Sequence, residues 1–239
     1  MHISNDQNKQ LILNWRQTEM FNARFNDLFE NRFLQVFHPR NKLYPIQNQF
    51  NNYEIVKTWR LLYPTFENRL TTEESTKPKY LDFLYHETPL EIRKIYLDLF
   101  YQLRPVHYVR NAVNEFASNF DKETDAIAVR TWSYSSHRQK HFSLSRTTKA
   151  IADMNCSKCF ITCDSPHVLE KLLQKFGTKL IHFPSRTFHG DRNSLEGIQD
   201  AFIEMLLLAR CRNLTGSYMS TFPEVAWWFG GCKSEVTII

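Results

Sequence analysis

The stretch that decides the fold is Cys159 to Gly177, CFITCDSPHVLEKLLQKFG. Its first five residues form an almost continuous apolar run, which predicts a strand buried on both faces. Ser165 and Pro166 are preferred at the start of a helix, and Gly177 is preferred just past its end. Between them the apolar residues recur at helical spacing. The stretch therefore predicts a buried strand that leads directly into an amphipathic helix.

The same alternation extends in both directions along the chain. A helix is predicted from Ser194, and another from Ser220 to the glycine pair Gly230 and Gly231. Apolar runs predict further strands at residues 126–129, 180–183, 214–217 and 236–239. Repeated strand–helix alternation is typical of an open α/β sheet. We therefore predict an α/β fold with an open, parallel, Rossmann-type sheet in residues 120–239.

The first 119 residues are less regular. Residues 11–15 predict one buried strand, and a capping box at residues 88–91 predicts a helix that ends or kinks at Arg104-Pro105. A second helical stripe covers residues 109–116. The charged segment 119–125 then connects this region to the predicted sheet. We therefore predict two domains, an irregular α/β domain at residues 1–119 and the Rossmann-like domain at residues 120–239.

Composition excludes several classes of protein. The chain has 30 basic and 25 acidic residues, a net charge of +5, and its basic residues are scattered without a run of five. This charge permits anionic ligands but does not indicate nucleic acid, so we predict no nucleic-acid partner. The six glycines form neither a G-x-G-x-x-G nor a Walker motif. Glycine-rich phosphate loops of those two kinds are therefore excluded.

Export and membrane signals are also missing from the sequence. No apolar run approaches the roughly 20 residues that cross a bilayer. The N-terminus, MHISNDQNKQ, lacks the basic and apolar regions of a signal peptide. Five cysteines are an odd number, which fits free thiols in a reducing compartment. We therefore predict a cytoplasmic protein without a transmembrane segment.

Two charged residues directly follow predicted strands. Ligands of open α/β sheets bind outside the carboxyl ends of the strands, so both positions are candidate site residues. Arg130 offers a planar, permanently charged fork that suits a diphosphate, or it forms a structural ion pair. Asp164 could hold a ribose, act as a base, or cap the next helix. Position alone leaves these alternatives open.

The segment 216–223, GSYMSTFP, and the helix before it supply the other candidates. Ser217, Ser220 and Thr221 lie where a strand end leads into a helix, whose unpaired N–H groups and positive dipole end attract anions. The alternative is an ordinary Ser/Thr cap. Glu204 lies in an apolar helix, so it either faces solvent or is a buried acceptor, for example for the N–H edge of a purine.

Two patterns resemble metal sites without completing one. Cys156, Cys159 and Cys163 have the spacing of half a zinc site, but two of them fall in the predicted strand and no second pair matches. We therefore interpret them as core cysteines. His137 and His141 could share a helix face, but a basic loop that faces the substrate or is exposed is the better interpretation. The chain also has no Asp-x-Asp, and we predict no metal.

Three segments together resemble the fucosyltransferase superfamily, which includes the α-1,6, α-1,2 and nodulation fucosyltransferases and the protein O-fucosyltransferases. The segment 195–231, LEGIQDAFIEMLLLARCRNLTGSYMSTFPEVAWWFGG, resembles the C-terminal nucleotide-sugar site of that group. AIAVRTW resembles its strand ending in His-x-Arg, and KCFITCDSP resembles the following strand with Asp-Ser. The three occur in family order over roughly residues 120–239.

This resemblance implies a GT-B-like fold and an inverting, metal-independent transfer of fucose from GDP-fucose, or a related GDP-sugar, to a glycan or other hydroxyl acceptor. No cofactor is implied beyond the donor substrate, and residues 1–119 would be the acceptor-side domain. The family's roles match this sequence as follows: Arg130 at the β-phosphate, Glu204 at guanine, Ser220 and Thr221 at the phosphates with Phe222 beside them, and Asp164 as a ribose or base contact.

The sequence departs from the family pattern in three places. The usual His two residues before the arginine is Ala128, and residues 131–134, TWSY, contain no acidic residue. The family's N-terminal glycine-rich loop is missing, because residues 11–15 resemble the second strand; we expect an incomplete N-terminal domain. These departures leave the general base unassigned. They support an alternative, a catalytically inactive relic that binds nucleotide sugars.

Overall fold

The computed structural model of the chain describes residues 12–13, 21–32, 34–35, 90–133, 136–187, 193–218 and 220–239. The predicted helix start at residues 88–89 and most of the predicted strand at residues 11–15 lie outside these ranges. Within them, Ile12–Leu13 (β1) pairs in parallel with Leu34–Gln35 (β2). The described part of the predicted first strand therefore is a strand.

The elements follow the predicted alternation. The remaining strands are Asp125–Val129 (β3), Cys159–Cys163 (β4), Leu180–Ile181 (β5), Asn213–Gly216 (β6) and Glu235–Ile238 (β7). The helices are Leu90–Gln102 (α1), His107–Ala117 (α2), Ser136–Gln139 (α3), Leu144–Asp153 (α4), Pro166–Phe176 (α5), Leu195–Leu208 (α6) and Thr221–Phe229 (α7). Short 3-10 turns occupy Phe25–Asp27 and Gly177–Lys179.

Five strands form one fully parallel sheet in the order β5-β4-β3-β6-β7. Counted along the chain from β3, this order is 3-2-1-4-5, which is the strand order of a Rossmann-type sheet. Ala126 pairs with Phe160 on one side and with Leu214 on the other. The chain therefore reverses its direction of travel across the sheet between β3 and β6, and that position is the topological switch point.

Both faces of the sheet are covered, which explains why β3 and β4 are buried along their whole length. On one face, Ile127 and Ile161 pack against Ile151 of α4 and Leu172 of α5. On the other face, Ala126, Ala128 and Phe160 belong to a larger core that also contains apolar residues of α2, α6 and α7. The sheet is thus the middle layer of a three-layer α/β unit.

Helix α2 lies before the predicted domain boundary, yet its apolar side chains join the same core as α6 and α7. Val109 and Val113 are fully or nearly fully buried in this cluster. Phe25 of the 3-10 turn and Phe29, which follows it, join as well, and the Phe29 ring lies 5.0 Å from the ring of Phe202 in α6. The boundary between residues 119 and 120 stays a prediction.

The helix starts have the caps that the sequence predicts. The Ser165 hydroxyl accepts a hydrogen bond from Val168 N at the start of α5, and the Ser194 hydroxyl accepts one from Gly197 N at the start of α6. Gly177 ends α5 with a φ of +53°, a conformation that glycine adopts without strain. These local signals fix where both helices begin and where α5 ends.

One local interpretation was wrong. The segment around His137 is not a loop throughout, because Ser136–Gln139 form one helical turn, and His141 lies beyond it. The two histidines therefore do not share a helix face. Among the described residues, the helices are all too short or too polar to cross a bilayer.

Candidate functional site

Three polar side chains meet at the carboxyl end of the sheet. Arg130 follows β3, Asp164 follows its neighbour β4, and Ser217 follows β6 on the other side. Parallel strands end at the same side of a sheet, and β4, β3 and β6 are neighbours in it. These three positions are therefore brought together. They flank the switch point, which is the place where open α/β sheets bind their ligands.

Arg130 and Asp164 form an ion pair across the ends of β3 and β4. Arg130 Nε lies 3.3 Å from Asp164 Oδ2, and the two side chains are only 15% and 5% exposed. Asp164 Oδ1 accepts a hydrogen bond of 2.7 Å from the backbone N–H of Thr131. Asp164 does not cap α5, because Ser165 has that role. The carboxylate instead fixes the chain that leaves β3 and pairs with the Arg130 guanidinium.

Ser217 ties the two strands at the switch point together. Its hydroxyl accepts a hydrogen bond of 2.9 Å from the backbone N–H of Arg130 and donates one of 3.1 Å to the carbonyl of Ala128. The side chain is buried and is not among the residues that line the cavity described below. Its hydroxyl therefore holds the backbone beneath Arg130 in place.

The start of α7 lies beside this junction. Ser220 is the N-cap residue, but its side chain makes no capping hydrogen bond, so an ordinary Ser cap is not its role. Ser220 is buried, Thr221 is exposed and Phe222 is half-buried. At Gly216 an added Cβ would lie 3.0 Å from Pro223 Cγ, which means that glycine lets α7 approach the end of β6 closely. The helix N-terminus is thereby brought over the sheet end.

Glu204 projects from α6 to the same place. The residue is buried, which excludes a solvent-facing position. It lines a small cavity of about 50 Å³ together with four other residues that the sequence analysis singled out, namely Arg130, Asp164, Ser220 and Phe222. The rest of the lining is Ala128, Val129, Thr162, Cys163 and Ala201. Four separate segments of the chain thus contribute candidate residues to one cavity.

Trp132 adjoins the candidate site through Arg130, a contact that sequence reasoning missed. Its indole is only 5% exposed, and the guanidinium carbons of Arg130 and Arg138 lie 5.3 and 5.0 Å from its ring centroid. Its φ of +56° is uncommon for a bulky residue. Its place two residues after the candidate arginine was a signal, but only the structure shows which groups contact the ring.

Two of the three cysteines of the half-zinc pattern are core residues, and the third, Cys156, is only half-buried. Cys159 and Cys163 are buried within β4, and burial raises the pKa of the Cys163 thiol to about 12. Burial likewise raises the pKa of Cys159, so both thiols stay protonated and inert at neutral pH. The ranges that the structure describes contain no group of three or more His, Cys, Asp or Glu residues able to hold a metal ion.

A larger cavity of about 820 Å³ lies at the opposite, amino end of the sheet. It is lined by residues before β3, β6 and β7, including Asp121, Lys122, Arg212 and Ser234, and by parts of α1 and α2. None of the predicted site residues lines it. The candidate site and the larger cavity are therefore separated by the length of the sheet.

Comparison with known proteins gives likeness of structure only. Neither a protein-family model nor a curated protein sequence matches the chain. A crystal structure of NodZ alpha-1,6-fucosyltransferase soaked with GDP-fucose matches 95% of this chain and 85% of its own, with a TM-score of 0.51 and 16% identity. A selenomethionine structure of NodZ from Bradyrhizobium matches 94% and 83%, with a TM-score of 0.50 and 16% identity.

A third similar structure, POFUT1 in complex with GDP-fucose, is matched over 61% of this chain and 49% of its own, with a TM-score of 0.43. At these identities the likeness is one of fold. The predicted α/β, GT-B-like class with its parallel sheet is confirmed, and so is the resemblance to fucosyltransferases at the level of the fold.

Proposed function

We propose that this chain is a glycosyltransferase that transfers fucose from GDP-fucose, or a related GDP-sugar, to a glycan or other hydroxyl acceptor. One observation carries the proposal. Arg130, Asp164, Glu204, Ser220 and Phe222, which the resemblance assigns to the donor, line a single cavity at the switch point of a Rossmann-ordered sheet. The NodZ structure of the same fold that was soaked with GDP-fucose supports the choice of donor.

The diphosphate of the donor would lie between β3 and the start of α7. Arg130 has a planar guanidinium group that suits the oxygens of a phosphate, and it lies beside Asp164 at the end of β3. The first turn of α7 offers unpaired backbone N–H groups and the positive end of its dipole. Ser220 and Thr221 would add hydroxyl donors at the phosphates, with the Phe222 ring beside them.

The nucleoside would lie against α6 and β4. Glu204 is a buried carboxylate, and a carboxylate accepts hydrogen bonds from the two N–H groups on the edge of guanine. Asp164 is placed after β4, where a carboxylate can accept a hydrogen bond from a ribose hydroxyl. The cavity of about 50 Å³ holds only one end of such a ligand, so most of the nucleotide would lie above it.

In the proposed reaction the acceptor oxygen attacks the anomeric carbon of the sugar from the side opposite GDP. A carbon–oxygen bond forms, the bond from the anomeric carbon to the β-phosphate oxygen breaks, and its electron pair remains on GDP. The configuration inverts, and the proton of the acceptor hydroxyl passes to water. Charge develops on the β-phosphate in the transition state, where fixed donors such as the Arg130 guanidinium stabilise it most. We propose that these donors suffice without a metal.

One observation favours a second candidate, a nucleotide-sugar binder without turnover. Residues 131–134 carry no carboxylate, and Ala128 stands where the family has histidine. Ala128 lines the cavity, so a contact that a histidine would make there is missing from this chain. Such a protein would bind GDP-fucose at the same residues and release no GDP.

The test is to incubate the purified chain with GDP-fucose and measure GDP release and donor binding together. We expect one-to-one binding that GDP competes away, with GDP release accelerated by glycan acceptors. Binding without release would support the inactive binder. Failure to bind GDP-fucose, GDP or another GDP-sugar would contradict both candidates, and UDP and ADP with their sugars serve as specificity controls.

A further inference from the structure

Two guanidinium groups converge on one indole ring at the candidate site. Trp132 has Arg130 on its ring at 5.3 Å and Arg138, from α3, at 5.0 Å. A guanidinium over an aromatic face is attracted by the ring, and the attraction is stronger where the ring is removed from water. Trp132 is nearly fully buried, so this ring is a fixed platform. The side chain of Arg138 therefore contacts the same ring as Arg130, the group that we assign to the diphosphate.

The backbone at this position is held in an unfavourable conformation. Trp132 has a φ of +56°, and such values in a bulky residue persist only where the surroundings determine them. Two hydrogen bonds fix the chain just before it, from Arg130 N to Ser217 Oγ at 2.9 Å and from Thr131 N to Asp164 Oδ1 at 2.7 Å. These contacts direct the indole towards Arg130 and Arg138.

We infer that Trp132 is a positioning residue that aligns Arg130 and Arg138 as a two-guanidinium clamp, and that Arg138 is a second cation for the terminal phosphate of a nucleoside diphosphate. This inference rests on the proposed function. Both guanidinium groups lie on one ring at the end of β3, where Asp164 also pairs with Arg130. A diphosphate has the charge and the oxygen acceptors to bind both, and planar guanidinium groups suit them.

The clamp predicts how affinity depends on the terminal phosphate. GDP and GMP share the base, the ribose and the first phosphate, so a residue at the terminal phosphate affects GDP far more than GMP. We expect Arg138→Gln to weaken GDP binding at least tenfold and GMP binding less than threefold, measured by titration calorimetry. Lys140→Gln is the matched control, because it removes one exposed positive charge two residues away.

The role of Trp132 is tested by rescue and by coupling. Trp132→Phe keeps an aromatic face and should bind GDP within threefold of the unmodified chain, whereas Trp132→Leu should lose about as much GDP affinity as Arg138→Gln. If the ring acts through Arg138, the double variant Trp132→Leu/Arg138→Gln should lose little more than either single variant. A purely structural tryptophan would instead lower GDP and GMP affinity together. That outcome would overturn the positioning role.

The failure of this inference differs from a failure of the proposed function. If Arg138→Gln binds GDP within twofold of the unmodified chain while Arg130→Gln loses GDP, the clamp is wrong and the proposed donor site stands. If the unmodified chain binds no GDP, the proposed function fails and the clamp fails with it. Equal weakening by Arg138→Gln and Lys140→Gln would reduce Arg138 to a general surface charge and would also overturn the clamp.

Discussion

The two ends of β3 each carry an arginine–aspartate pair, and the two aspartates differ in how many hydrogen bonds they accept. At the amino end, Asp125 accepts hydrogen bonds from Arg212 Nε at 3.0 Å, from Arg212 Nη2 at 3.2 Å and from Asn213 Nδ2 at 2.9 Å. Arg212 also pairs with Glu123 and donates to the carbonyl of Asn155. Both oxygens of the Asp125 carboxylate therefore accept hydrogen bonds from side chains of the protein.

At the carboxyl end, Arg130 Nε lies 3.3 Å from Asp164 Oδ2, and Asp164 Oδ1 accepts a hydrogen bond from Thr131 N. Within the described ranges, Asp164 Oδ2 makes no hydrogen bond beyond that ion pair, and the buried hydroxyl of Thr131 makes none either. Buried polar groups are almost always hydrogen-bonded in folded proteins, so unused capacity is informative. The Asp125 carboxylate is therefore fully hydrogen-bonded at the amino end of β3. At the carboxyl end, Asp164 Oδ2 has only its ion pair among the described residues.

The largest effect should follow from removing the guanidinium group of the Arg130–Asp164 pair. Arg130→Gln removes the donor that faces the leaving diphosphate, and a fixed donor of this kind contributes about 100- to 1,000-fold to turnover. We expect that loss in the rate of GDP release from GDP-fucose, measured at saturating donor. Retention of more than a tenth of the unmodified rate would contradict the role of Arg130.

The matched variant of the Arg212–Asp125 pair should lose stability and keep its binding of GDP-fucose. Arg212→Gln leaves the buried carboxylate of Asp125 without its two charged hydrogen bonds, and we expect a lower free energy of unfolding and a fall of several degrees in unfolding temperature. GDP-fucose binding should stay within about twofold. A loss of binding without a loss of stability would reverse the roles of the two ends.

A smaller effect should separate the two aspartates. Asp164→Asn keeps an oxygen that can accept from Thr131 N and removes one charged contact, so we expect it to cost about 1 kcal/mol of stability. Asp125→Asn disturbs three contacts and should cost more. Urea unfolding of both variants gives the comparison. If Asp164→Asn proves the more destabilising of the two, the Arg130–Asp164 pair has the larger structural role, which contradicts the comparison.

The smallest effect concerns Cys163, the last residue of β4. The pKa of Cys163 is raised to about 12 by burial, and only the thiolate reacts with iodoacetamide. At pH 8 the thiolate fraction of such a group is about one in 10,000, and it rises about tenfold with each pH unit. We expect Cys163 to remain unlabelled in the native chain and to be labelled after unfolding. Rapid native labelling would show that the end of β4 is open.

The fold was predictable from local signals in residues 159–231. Continuous apolar runs specify buried parallel strands, and the Ser165 and Ser194 caps mark helix starts, because each signal acts within a few residues. Arg130, Asp164 and the start of α7 could be assigned to one end of the sheet, since parallel strands end together. The strand order was not needed for that step and was established only by the structure.

Other parts of the site depend on contacts that spacing cannot express. Nothing in the sequence shows that Ser217 bridges Arg130 N and Ala128 O, because these groups come from segments 87 and 89 residues apart. The contact between the Trp132 ring and Arg138 depends on a left-handed backbone that is rare for tryptophan. Ser220 differs from Ser165 and Ser194 for a reason that the sequence does contain. The third residue of its helix is Pro223, which has no N–H, whereas Val168 and Gly197 donate to the other two caps.

The central claim, that a GDP-sugar binds at the carboxyl end of the sheet and not at the amino end, is tested most directly by amide hydrogen exchange with and without GDP. Bound ligand slows exchange in the segments that it orders. We predict slower exchange in residues 126–133 and 216–226, and unchanged exchange in residues 119–125 and 209–213. Protection confined to the amino end, or no protection with saturating GDP, would contradict the account.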